Sequence, residues 1–385
     1  MVKSYLFPWR ANNQFSLLVD AQHFFPAMLN AIDNARHFIL FEQYLVQSGE
    51  ILDQFIQHLI DARERGVLVY LLLDDFGSSG VSRSDQQRLS NHGIDLRFYN
   101  PFSWRSLYRS LRRDHRKLLI VDNHVAFVGG AGISDTYAEG NPKVMNWHDV
   151  MLQIRGENVE DWIQSFMWVW NHTTDTMPLV ADYDRVNAGN QTGRVYLSRG
   201  LLRNDIIRSV ISHIHRSSQR VWLATPYFVT NRKLRRALRR AARNGIDVRL
   251  LLPGPISDHP WISQVGRRYY QKLLQSGVKI FEYQPRFIHA KVMLCDDWAS
   301  IGSSNLDRWN QRWNLDANQA VLDGQFSQQV ETMFENDFAQ SQLITHEDWE
   351  QRSRWQRLKE RYFGFYASLL QWFNYVISRR HKGPH

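Results

Sequence analysis

The chain has a single cysteine, Cys295, among its 385 residues. One thiol makes no intrachain disulfide, so the fold must hold by packing, and a reducing compartment suits it. Cys295 lies in an apolar run and reads as a buried, inert thiol. Long hydrophobic runs are also missing. No stretch reaches the roughly 18 apolar residues expected of a spanning helix. Residues 1–13 contain no apolar segment of leader length, and Pro8 and Arg10 interrupt them. No carboxylate–histidine cluster has metal-ligand spacing, so no metal and no other cofactor is expected. Acidic residues are in deficit, 38 against 47 basic ones, for a formal net charge of +9. That imbalance predicts an anionic partner, nucleic acid or an anionic membrane, without choosing between them.

Apolar residues make up 43% of the chain, enough for well-packed cores in two domains. One pattern stands out and occurs twice. Residues 115–122 read His115-x-Lys117-x4-Asp122, followed by Gly129 and Gly130. Residues 289–296 read His289-x-Lys291-x4-Asp296, followed by Gly302, Ser303, Ser304 and Asn305. The four spacers in each copy are apolar, as in a buried strand. Side chains two apart on a strand share a face, so an imidazole should stand beside an ammonium at the strand's start.

The flanking sequence repeats as well. In copy one, helical spacing over 24–36 precedes a strand at 38–45. A helix at 52–65, a strand at 67–73, a helix ending near Gly93 and a strand at 95–99 follow. Copy two runs through a helix at 202–216, a strand at 221–229 interrupted by Pro226, a helix at 233–243 and a strand at 248–252. A helix at 269–275 and a strand at 278–283 complete it. Gly66, Gly93, Gly245 and Gly277 stand where helices stop. Strands alternating with helices imply an α/β fold with helices on both faces of a mixed sheet. A polar stretch with Pro178, Gly189 and Gly193 divides the copies.

These paired motifs resemble the signature of the phospholipase D superfamily, and the flanking residues look most like its bacterial cardiolipin synthases, in the shorter form without N-terminal spans. The resemblance implies two pseudo-symmetric lobes, residues 12–176 and 194–345, joined by a linker at 177–193. Each lobe is expected to be a mixed sheet flanked by helices, with a pseudo-twofold axis bringing the motifs face to face. Residues 346–385 form an amphipathic tail outside both copies.

Two histidines and two lysines can exchange a phosphodiester in two displacements. One imidazole attacks phosphorus to give a phosphohistidine. The other protonates the departing alkoxide and then deprotonates the incoming alcohol. The ammoniums of Lys117 and Lys291 hold charge on the non-bridging oxygens. The resemblance favours His115 as the attacking residue; the residues themselves give no basis for choosing. It also places an acid downstream of each histidine, here Asp149 and Asp316, to fix the tautomers. Ser303, Asn305 and Gly130 fall at phosphate-binding positions. Gly132 departs from the family, which has asparagine there, and one phosphate donor is thereby lost. Asp122 and Asp296 complete the motif's catalytic set by resemblance. Seven strand positions, about 23 Å, separate them from the histidines, so a structural role pairing at the domain interface is expected instead. His124, His148 and His259 read as structural or solvent-facing.

Residues 104–113 alternate aromatic and basic side chains from Trp104 to Arg113 and lead into the first motif, as suits an anionic headgroup layer. The segment 355–380 carries Trp355, Tyr362, Trp372 and Phe373, with basic residues before and after this apolar surface, from Arg352 to Lys382. Its uncharged core spans 16 residues, Tyr362 to Ile377, which suits a helix lying in the interface better than one crossing it. Packing on the core and homodimerisation are its alternatives. The expected activity is a phosphatidyl transfer between two phosphatidylglycerols. The expected location is peripheral, monotopic on the cytoplasmic side of a bacterial inner membrane. A hydrolase using water, a nuclease and a non-catalytic lipid scaffold are the rival readings, and nucleic acid is the disfavoured partner.

Overall fold

The computed structural model describes residues 7–104, 109–138, 146–173, 187–199, 204–307, 310–353 and 355. Most of the expected tail, residues 177–186 of the expected linker and residues 105–108 of the expected aromatic–basic segment lie outside these residues. The described strands form one 16-stranded sheet. In chain order they are β1 (Arg10–Val19), β2 (Phe38–Gln43), β3 (Leu68–Asp74), β4 (Asp95–Tyr99), β5 (Arg113–Asp114), β6 (Leu118–Val121), β7 (Val125–Gly129) and β8 (Val150–Arg155). The series continues with β9 (Gln191–Arg199), β10 (Arg220–Ala224), β11 (Asp247–Pro253), β12 (Lys279–Tyr283), β13 (Val292–Cys295), β14 (Trp298–Gly302), β15 (Asn314–Leu322) and β16 (Ser341–Ile344).

The strand order is a palindrome about the β1–β9 seam. Reading outward, β8, β7, β6, β2, β3 and β4 on one side match β15, β14, β13, β10, β11 and β12 on the other. β16 adds an outer edge strand beside β12, and β5 pairs with β15 off this path. The parallel pairs β2–β3–β4 and β10–β11–β12 arise from helix crossovers, which the alternating pattern called for. The two sheets expected are continuous because β1 and β9 pair at Arg10↔Gly193 and Asn13↔Gln191. Gln191, inside the stretch expected to be linker, therefore opens a strand.

Apolar side chains sort into three layers. Helices Asn158–Trp170 and Gly324–Ala339 lie in a central core that draws on both halves. Helices Ala21–Asp33 and Glu50–Glu64 cover one outer face of the sheet, and Asp205–Arg216 and Arg232–Arg243 cover the matching face of the other half. The four helix-stopping glycines all adopt positive φ, between 76° and 90°, before a strand. Strand β10 is shorter than its apolar run because Pro226 has no N–H to continue the ladder. Burial pushes the Cys295 thiol up to about 12, in keeping with an inert side chain. Residues 346–351 begin the segment expected as tail, and Trp349 is buried against Tyr270 with ring centroids 4.9 Å apart.

Asp122 and Asp296 occupy the β6–β7 and β13–β14 turns at φ of 52° and 49°, a conformation Asp tolerates. Asp122 accepts the backbone N–H groups of Arg36, His37 and Phe38 at 2.6, 2.8 and 2.8 Å. Asp296 does the same for Ser218, Gln219 and Arg220 at 2.7, 3.1 and 2.9 Å. The expected pairing across the domain interface is therefore corrected. Each motif aspartate ties down the loop entering β2 or β10 of its own half, and neither reaches a motif histidine. Asp122→Ala leaves three N–H groups without an acceptor, a loss of about 2–3 kcal/mol. Urea unfolding should show that loss, with turnover per folded molecule unchanged.

Candidate active site

His115 and Lys117 do not lie within β6 but immediately before it, and His289 and Lys291 precede β13 in the same way. All four are buried, with Lys291 at 0% exposure. Backbone pairing between the halves sets each segment. The His115 N–H donates to Leu315 O at 2.9 Å, and β5 runs parallel to the start of β15. The His289 N–H donates to His148 O at 2.7 Å, and the His148 N–H to Phe287 O at 2.9 Å.

This pairing crosses the acids over. His115 Nδ1 is 2.9 Å from Asp316 Oδ1, on the second half's β15. His289 Nδ1 is 2.6 Å from Asp149 Oδ2, beside the first half's β8. Each histidine thus takes its orienting acid from the opposite half. With Nδ1–H donating to a carboxylate, Nε2 is left with its lone pair. Lys291 Nζ donates to His289 Nε2 at 2.8 Å and to His289 O at 2.5 Å. Lys117 Nζ donates to His115 O at 2.7 Å and stands 5.0 Å from the Tyr44 ring centroid. Tyr44 packs edge-on against His115 at 4.8 Å, and Trp147 lies 5.0 Å from His289.

The two half-sites sense each other electrostatically. Burial, then Lys117, Lys291 and His289, hold His115 well below the usual imidazole range. Burial and Lys291 bring His289 down to about 4 against the pull of Asp149. Lys117 falls to about 7 through burial and the facing Lys291. Lys291 falls to about 8 through burial, opposed by Asp149, Asp258, Asp316 and Asp307. Burial works against ionisation of Asp149, but Lys291 and His289 keep its carboxylate below the ordinary value. Burial pushes the Asp316 carboxyl up instead. Burial and crowding weaken the hold of both lysines on their protons, and a phosphate anion beside them would strengthen it.

The remaining expected residues divide by role. Ser303 Oγ donates to Asp316 Oδ1 at 3.2 Å, and its N–H donates to Ala317 O at 3.0 Å. Both Ser303 donors are thus occupied in holding Asp316 and its strand, which corrects their reading as free phosphate donors. Gly130 is needed for space, since a Cβ there would meet Asp149 Oδ1 at 2.4 Å. Asn305 is buried and its Oδ1 has no hydrogen-bond partner among the described residues. At Gly132 a Cβ would meet Leu45 O at 2.4 Å, so this backbone path leaves no room for the family's asparagine. His124 is exposed and contacts Asp122 O, and His259 stands exposed at the start of the helix Pro260–Arg267.

Several site residues escaped sequence reasoning. Tyr137 OH comes within 3.3 Å of His289 Nδ1. Arg116, between the motif histidine and lysine, is buried with Glu42 at 2.5 Å and Ser165 Oγ at 2.6 Å, pinning the first motif to the central helix. The second motif has Ala290 in that place. The only sequence signal for these two was Glu42 inside an apolar strand. His148, read from the sequence as structural or solvent-facing, is buried and bridges the halves between Asp20 at 2.7 Å and Asp337 at 3.1 Å.

The family model described as the cardiolipin synthase, phospholipase D-like domain matches residues 28–170 and 210–338. The chain is 33% identical over 364 residues to a cardiolipin synthase A of Pseudomonas putida, spanning 91% of this chain and 74% of that one. It is 33% identical over 356 residues to a cardiolipin synthase A of Pseudomonas aeruginosa, spanning 91% and 72%. The chain belongs to this cardiolipin synthase, phospholipase D-like family. In fold it is similar to the phosphatidylserine synthase of Haemophilus influenzae, with a TM-score of 0.74 at 13% identity over 95% of this chain and 96% of the other. It is also similar in fold to the polyphosphate kinase of Porphyromonas gingivalis, with a TM-score of 0.61 at 14% identity over 91% and 52%.

Proposed function

We propose that the enzyme transfers a phosphatidyl group from one phosphatidylglycerol to the glycerol hydroxyl of another, forming cardiolipin and releasing glycerol. The observation that carries this reading is the crossed pair of His–Asp contacts facing two buried lysines, in a chain of the cardiolipin synthase family. His115 Nε2 attacks phosphorus, a P–N bond forms, and the P–O bond to glycerol breaks. His289, protonated once the bound phosphate offsets the lysines, gives its proton to the departing alkoxide. It then takes the proton of the second glycerol hydroxyl, whose oxygen attacks phosphorus and frees His115. The hydrogen bond from Lys291 engages the His289 Nε2 lone pair, which disfavours His289 as the attacking residue. Lys117, Lys291 and Asn305 hold the phosphate.

The lobes are 12–176 and 194–345. Membrane contact through residues 104–113 is supported by a group of exposed side chains, Phe76, Phe102, Trp104 and Leu111, with Trp104 82% exposed. The tail at 355–380 adds a second contact. No helix among the described residues is long and apolar enough to cross a membrane, and we place the enzyme peripherally on the cytoplasmic face. The test is incubation of the purified chain with phosphatidylglycerol vesicles, with and without added alcohols, and mass analysis of the lipids. Cardiolipin and free glycerol are expected. Phosphatidic acid without cardiolipin would make the enzyme a hydrolase and sink the transfer reading.

A further inference from the structure

The two halves share one topology but not one charge. The helix Arg232–Arg243 carries Arg232, Lys233, Arg235, Arg236, Arg239, Arg240 and Arg243, with no acidic residue. Its counterpart, Glu50–Glu64, carries Glu50, Asp53, Asp61 and Glu64 against Arg63 alone. The counterpart serves as an internal control, because the same helix in the same sheet position folds without a cationic face. Residues 206–246 contain ten Lys and Arg and no Asp or Glu.

Packing accounts for part of the sequence. Leu234, Ala237, Leu238 and Ala241 face the core, Arg235 lies 3.8 Å over the Tyr269 ring, and Arg239 donates to Ser276 Oγ at 3.0 Å. The other five cations, Arg232, Lys233, Arg236, Arg240 and Arg243, are exposed. Among the described residues none of the five has an ion-pair partner. Their arrangement opposes helix stability. Arg232 and Lys233 stand at the positive end of the helix dipole, and Arg232–Arg236, Arg236–Arg240 and Arg239–Arg243 are like-charge neighbours one turn apart. Exposed Arg216 and Lys272 extend the same sign onto the adjoining helices Asp205–Arg216 and Tyr270–Leu274. A local arrangement that costs stability and serves no packing marks a surface shaped by a partner.

We propose that this arginine face, flanked by Arg216 and Lys272, docks the C-terminal half on an anionic lipid bilayer. A row of flexible cations without exposed aromatics on the helix suits a fluid anionic plane, which asks for charge rather than shape. Single-stranded nucleic acid would ask for stacking platforms as well. The choice of lipid rests on the phosphatidylglycerol reading of the site.

The test compares the full chain with the variant R236Q/R240Q/R243Q on phosphatidylcholine vesicles containing graded phosphatidylglycerol. Vesicle affinity should fall at least about tenfold, given the contribution of each near-surface cation, and its salt dependence should flatten. Turnover of detergent-dispersed phosphatidylglycerol and the unfolding midpoint should not fall. The matched control D61N/E64Q in the other half should leave vesicle affinity unchanged. Unchanged vesicle affinity in the arginine variant overturns the proposal, as does a loss confined to duplex DNA binding. Vesicle binding through this face without cardiolipin formation would uphold the docking surface and remove only the transfer reading.

Discussion

Alanine at either His115 or His289 should abolish cardiolipin formation, and asparagine at either Asp149 or Asp316 should slow it by about 10²–10⁴-fold. In the proposed mechanism the two histidines act in sequence on one phosphorus, so neither would replace the other. The acids matter because each fixes Nδ1–H toward itself and leaves Nε2 for chemistry. In asparagine the facing group can be an amide N–H, which favours the other tautomer. The crossed contacts, 2.9 Å for His115–Asp316 and 2.6 Å for His289–Asp149, give the experiment its particular form. Damage to β15 of the second half should be felt at the first motif's histidine, and damage beside β8 at the second's. Peptide mass analysis of trapped intermediate should find the phosphatidyl adduct on His115. An adduct on His289 would reverse the two roles, and near-normal turnover in H115A or H289A would end the mechanism.

The largest effect on stability should come from His148→Ala. Its ring lies between Asp20 and Asp337, stacks on Tyr283 at 5.1 Å, and joins the N-terminal half to the C-terminal half. Arg286 also pairs with Asp20. Removing the imidazolium leaves two buried carboxylates sharing too little positive charge, a loss of about 3–5 kcal/mol. Burial works against the charged ring, but the two aspartates outweigh it and raise His148 from 6.5 to about 9. Because the folded value lies above the unfolded one, the contribution is complete below pH 6.5 and is lost as pH rises through about 9. That shift corresponds to about 3 kcal/mol. Chemical unfolding from pH 6 to 10 should show the decline in the parent and a flatter profile in the variant. Equal profiles would mean that the ring is neutral and the clamp is only a packing contact.

The fold was largely legible because its signals are local. Apolar runs, helix-stopping glycines and a repeated motif each act over a few residues, and the copies confirmed one another. The strands that close each half, β8 and β15, and the seam strands β1 and β9 follow no such rule. They are defined by partners more than a hundred residues away in several pairings, as in Arg10↔Gly193. The site was legible as a list of residues, since His115, Lys117, His289, Lys291, Asp149 and Asp316 do converge. Their partnership was not legible, because nothing in residue spacing distinguishes an acid serving its own half from one serving the other. The roles of Ser303 and Gly130 were hidden for a related reason. A hydroxyl and an empty space both look like phosphate cradles until the carboxylate beside them is seen.

The exchange of carboxylates has a consequence for how such a chain can change over generations. Neither copy of the repeat is free to drift alone, since each holds the carboxylate that the other's histidine contacts. The two copies can lose resemblance on their outer helices, as the arginine row and its acidic counterpart already have. Their inner strands remain bound to one another's fortunes.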